Sequence, residues 1–79
     1  MYKIYFVEVS FDGQENETFI GDVPYDDIYE AYMFIADYMR NSGSINCFMI
    51  PCKDEDDDSV IYVDILTVPH YFAIIKLLN

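Results

Sequence analysis

Between residues 28 and 39 the apolar side chains recur with helical spacing. Ile28, Ala31, Tyr32, Ile35, Tyr38 and Met39 follow the i, i+3, i+4, i+7 rule, with Glu30, Asp37 and Asn41 opposite. Pro24 precedes this stretch, and Asp26 or Asp27 can serve as its N-cap; Asp27 and Glu30 have capping-box spacing. Acids at the start and Arg40 in the last turn suit the helix dipole, and Gly43 supplies a stop. A helix with one apolar stripe must bury it against another element. The flanking segments are β-branched and aromatic, so the expected cover is a sheet and the expected class is α+β.

Residues 2–11 read as a strand with apolar groups on both faces: Tyr5, Val7, Val9 and Phe11 on one, Tyr2, Ile4 and Phe6 on the other. Such a strand belongs inside a sheet. Asp12 to Glu17 reads as a turn and Thr18 to Gly21 as a short return strand. After the helix, Ile45 to Cys52 is strand-like and Lys53 to Ser59 is an acidic loop. Val60 to Leu66 is strand-like, with Ile61, Val63 and Ile65 on one face and Asp64 on the other. Thr67 can cap a C-terminal helix with Pro69 in its first turn and Tyr71, Ile74, Ile75 and Leu78 on its buried face. A final strand is the rival, because Tyr71 to Ile75 has no charge pattern to set a period. Val23-Pro24-Tyr25 and Val68-Pro69-His70 echo one another, so the expected order is ββα-ββα: one antiparallel sheet packed by two helices.

At 79 residues the chain has room for one domain, expected over residues 1–79. Such a domain buries roughly 60–65% of its unfolded surface, so its stability is marginal. Four Lys and Arg against fifteen Asp and Glu leave a net charge of −11, yet 53% of the residues are hydrophobic and 18% aromatic. Disordered acidic tails lack that apolar content. Four cations cannot build the basic face that direct nucleic-acid binding or anionic lipid requires. No apolar run approaches the roughly 18 residues of a membrane span. The start, Met-Tyr-Lys-Ile-Tyr, enters strand-like sequence without a cleavage signal. Cys47 and Cys52 are five apart, which points them to opposite faces of a strand, so both are expected as free thiols in a reducing cytoplasm.

Catalytic and metal chemistry find little support. His70 is the sole histidine and has no nucleophile motif around it. Asp26 and Asp27 are a carboxylate pair, but so short a chain leaves little room for a substrate cleft. Asp54, Asp56 and Asp58 match the first ligand positions of an EF-hand loop; Ser59 and Ile65 then stand where Gly and a bidentate Glu are needed. Two cysteines and one histidine fall short of a zinc site. The sequence therefore predicts a non-enzymatic protein with no cofactor.

The acid itself is the remaining signal. It gathers at Asp54, Glu55, Asp56, Asp57 and Asp58, at Asp12, Glu15 and Glu17, and at Asp22, Asp26, Asp27, Glu30 and Asp37. A solvated, soluble surface is the plain reading of such a run. The sharper one compares spacings: phosphates lie about 3.4 Å apart along a DNA strand and extended residues rise about 3.3 Å each. Carboxylates on a hairpin and a helix can thus present a similar charge density, and a basic groove would be steered onto them. Tyr25, Tyr29 and Phe34 lie off the centre of the helix stripe beside Asp26 and Glu30, a pairing suited to an interface.

The two acidic loops, Asp12 to Glu17 and Asp54 to Asp58, together with Tyr2, Tyr5, Tyr25, Tyr29, Tyr32 and Tyr38, give a profile that resembles small phage-encoded host-defence inhibitors. These are the anti-CRISPR proteins and other DNA mimics such as uracil-DNA glycosylase inhibitors. The resemblance covers the whole chain in composition and none of it in motif. It implies stoichiometric blocking of a nuclease or CRISPR effector complex in the host cytoplasm. The expected partner-binding residues are Asp54, Glu55, Asp56, Asp57, Asp58, Asp26, Asp27, Tyr29, Glu30, Glu15 and Glu17. The alternative expectation is a homo-oligomeric accessory or regulatory protein, such as a homodimer, whose acid serves solubility.

Overall fold

The computed structural model describes residues 1–24, 27–41, 49–65 and 70–78. In chain order these form β1 (Tyr2–Val9), β2 (Glu15–Val23), α1 (Ile28–Asn41), β3 (Met49–Lys53), β4 (Val60–Ile65) and β5 (Tyr71–Leu77). The five strands make one sheet in the order β2-β1-β5-β4-β3, with every neighbouring pair antiparallel. The chain is thus a small α+β domain.

The expected ββα-ββα order and C-terminal helix are corrected by β5. Tyr71–Leu77 is a strand lying between β1 and β4. Its side chains are apolar on both faces: Ala73 and Ile75 are buried beneath α1, and Ile74 is 8% exposed on the other face. A β-branched run buried on both sides is a central strand, where a helix would leave one side of it in water. The sites of Thr67 and Pro69, and of Tyr25, Asp26, Gly43 and Cys47, lie outside the described residues. β2 starts at Glu15 rather than Thr18, which moves Glu15 and Glu17 from the turn into a strand.

Helix α1 forms as its stripe predicts. The Tyr29 amide donates to Asp27 Oδ1 at 2.9 Å, so Asp27 is the N-cap. Ala31, Ile35 and Met39 are buried against Tyr2, Ile4, Val23, Val63, Ile65, Ala73 and Ile75. Each isoleucine fully withdrawn from water contributes about 1.5–3 kcal/mol before ordering costs. Both sheet edges resist further pairing. β2 carries Glu15, Glu17 and Asp22, while β3 has five residues and contains Pro51, which lacks a backbone donor.

A β-bulge in β2 fits the helix to the sheet. Ile4 faces Gly21 and Tyr5 faces Phe19, so Ile20 is the extra residue. The Phe34 ring of α1 sits directly on Gly21, where a methyl group would overlap the ring. Gly21→Ala is expected to cost about 1 kcal/mol and lower Tm by about 4–8 °C, because the half-buried ring must swing aside. Calorimetry of G21A and of G21A/F34L checks this: the double variant loses less than the sum of the two singles.

Candidate partner-binding surface

The register places the two acidic hairpins at opposite ends of the sheet. Tyr2 faces Val23 on one side and Leu77 on the other, and Val60 faces Lys76. That end therefore carries the β3–β4 turn and the start of α1. The β1–β2 turn lies at the far end, beyond Val9 and Glu15. Asp54–Asp58 and the helix-start residues Asp27, Tyr29 and Glu30 share one end, where Ile28 and Tyr32 line a cleft of about 310 Å³ with Asp58 and Ser59. Glu15 and Glu17 do not join them there.

Within Asp54–Asp58 the five acids divide into two kinds. Asp54 Oδ1 accepts the Asp56 amide at 2.8 Å, and Asp54 Oδ2 accepts the Tyr62 hydroxyl at 2.9 Å. Asp57 Oδ1 accepts both the amide and the hydroxyl of Ser59, at 2.9 and 2.5 Å. The Ser59 hydroxyl, then its amide, hold the Asp57 carboxyl below the usual range. These two acids shape the turn. Glu55, Asp56 and Asp58 are exposed, and none of their carboxylates accepts a hydrogen bond among the described residues. Among the described residues no three His, Cys, Asp or Glu side chains converge to hold a metal ion.

The far hairpin has the same construction around Asp12, which accepts the Ser10 hydroxyl at 2.5 Å and the Gln14 amide at 3.2 Å. The serine hydroxyl, then the amide, lower its pKa. Gly13, at φ 85°, closes the turn in a conformation that favours glycine. Phe11, expected to extend a strand face, is instead fully exposed in this turn, its ring centroid 6.0 Å from that of His70.

On α1, Tyr29 is 72% and Met33 62% exposed, one turn apart beside Glu30. Phe34 belongs to the core side, not to this surface.

The feature that sequence reasoning missed is the second face of the sheet. α1 covers only one face, and among the described residues no element covers the other. Across the other run Phe19, Tyr5, Ile74, Tyr62 and Cys52, paired strand to strand; beside them run Glu17, Val7, Phe72, Asp64 and Ile50. Val7 is 1% exposed here, while Phe19, Tyr62 and Ile50 are exposed. Two lysines lie over the rings. Lys3 Nζ is 4.9 Å from the Phe19 ring centroid and 3.4 Å from Asp22 Oδ1. Lys76 Nζ is 4.5 Å from the Tyr5 centroid and 3.7 Å from Glu17 Oε1. Alternation in β1 and β4 hinted at this face. Only the strand order reveals which rings and charges share it. Among the described residues no helix is long and apolar enough to cross a membrane, and Cys52 is a free, exposed thiol. No family model, curated protein or solved structure matches the chain.

Proposed function

We propose that this protein is a non-enzymatic inhibitor that binds stoichiometrically to a basic, nucleic-acid-binding surface of a protein partner, as anti-CRISPR proteins and other DNA mimics do. The observation that carries the reading is the disposition of the acid: at a net charge of −11, no charged side chain is buried among the described residues. Asp54, Glu55, Asp56, Asp57 and Asp58 form a hairpin tip on the same end of the sheet as Asp27, Tyr29 and Glu30. Carboxylates held outward at this density attract a groove built for phosphates. Asp26 is assigned to the proposed surface only by its place beside Asp27 in the sequence, and Glu15 and Glu17, toward the other end of β2, are a second acidic patch of the proposal. A nuclease or CRISPR effector complex is the class of partner, met in a reducing host cytoplasm; neither nucleic acid, membrane nor cofactor is bound.

The test is a panel of purified CRISPR effectors and nucleases with basic grooves, titrated at 50 and 200 mM salt with and without duplex DNA. Binding to a panel member is expected to weaken at least about tenfold over that range, as multi-charge contacts do, and DNA is expected to compete. Binding indifferent to both, or no binding to any member, removes the mimicry reading. The exposed rings of the uncovered sheet face favour a second reading, a homo-oligomeric accessory protein, for which sedimentation would give a stable dimer and no such partner.

A further inference from the structure

Twice on the uncovered sheet face the chain repeats one arrangement: an ammonium over an aromatic ring with a carboxylate beside it. Lys3 does this with Phe19 and Asp22, and Lys76 with Tyr5 and Glu17. A third set of the same parts stands on β4 and β5. The Tyr62 and Phe72 rings meet edge to face with centroids 6.3 Å apart. Asp64 is the register partner of Phe72 and lies two residues from Tyr62 on the same face of β4. Asp54 accepts the Tyr62 hydroxyl at 2.9 Å.

No cation completes this third set among the described residues. Arg40 pairs with Asp37 on α1. Lys53 lies on the helix side of β3, lining the cleft with Ile28 and Tyr32. The two lysines of the face are already taken. Asp64 forms no ion pair among the described residues, and Tyr62 is 38% exposed.

We propose that the Tyr62–Phe72–Asp64 corner of the open sheet face receives an arginine side chain from the basic protein partner. The inference deepens the inhibitor reading above and rests on it. Arginine suits the corner better than lysine: its planar guanidinium stacks on a ring while its donors reach carboxylates on either side, here Asp64 and Asp54. Charge complementarity supports the choice of occupant. The hydrogen bond to Asp54 and that residue's charge raise the pKa of the Tyr62 phenol; desolvation, then Glu15 and Asp57, add smaller contributions. Acid thus flanks this corner on β4, at Asp64, and in the β3–β4 turn, at Asp54.

Hexa-arginine is the probe, with hexa-lysine for comparison, titrated at about 20 mM salt into the labelled full chain while amide and aromatic NMR resonances are followed. Hexa-arginine is expected to bind about threefold to fivefold tighter than hexa-lysine, with the largest shifts at the Tyr62 and Phe72 rings and the Asp64 amide. Asp64→Asn and Tyr62→Leu are each expected to weaken hexa-arginine about fivefold and abolish the preference over lysine. Glu8→Gln, the same loss of charge at an exposed residue on the opposite face of β1, changes affinity less than about twofold. Asp64 is exposed, so D64N tests the corner even if Y62L fails to fold. Equal losses in D64N and E8Q, with shifts centred on the hairpin tip, overturn the corner and leave the inhibitor reading standing. Silent face resonances in a protein that sediments as a dimer also overturn it, since a second copy then covers the face. No binding of either peptide to the wild type overturns both.

Discussion

Replacing Ile35 by alanine lowers the stability of the domain by about 3 kcal/mol. Ile35 is wholly buried at the middle of α1, in one cluster with Ile4, Val63, Ala73 and Ile75. The helix is the sole cover of this sheet face among the described residues. The surroundings therefore cannot close the cavity from a second layer, and the loss includes the void as well as the transfer term. A domain of this size is stable by only about 4–12 kcal/mol, so a quarter or more of the total is lost. In urea unfolding the midpoint falls by about 1–3 M with the slope unchanged. Met33→Ala, on the exposed side of the same helix, stays within about 0.5 kcal/mol of the parent. A midpoint shift for I35A no larger than that for M33A would mean that α1 does not pack on the sheet through this stripe.

Reversing three charges at the β3–β4 tip is expected to slow association with the proposed basic partner by about 10–1,000-fold at low salt. The residues are Glu55, Asp56 and Asp58, whose carboxylates accept no hydrogen bond among the described residues; Asp54 and Asp57 are left in place because they shape the turn. Each reversal to lysine adds two charges, taking the net charge from −11 to −5. Exposed charges act at a distance and steer encounter, so the change appears in the association rate and its salt dependence. Contacts desolvated in the complex act on dissociation instead. Stopped-flow mixing with the effector or nuclease that DNA displaces separates the two. An association rate equal to the parent's at low salt would show that the tip points away from the partner.

Much of the local structure was legible. The stripe from Ile28 to Met39 and the strands around Ile4 and Val63 follow from periodicity, and residue type narrows the cap to Asp26 or Asp27, because these are local properties of the chain. Tyr71–Leu77 was misread for the same reason. With apolar residues at nearly every position it has no period, and helix and strand then differ only in what surrounds them. Its neighbours β1 and β4 decide for the strand by burying both its faces.

The candidate surface divides along the same line. The chain alone determined that acid concentrates in two turns and a helix start, and that one-sided elements must form a helix on a sheet. Tertiary structure alone decided that Asp54–Asp58 lies with the helix start and apart from the far hairpin, and that Tyr62, Phe72 and Asp64 share a face that no other described element covers. Charge and hydropathy are written residue by residue. Which strands become neighbours depends on contacts distant in sequence, whose burial is shared by the whole sheet.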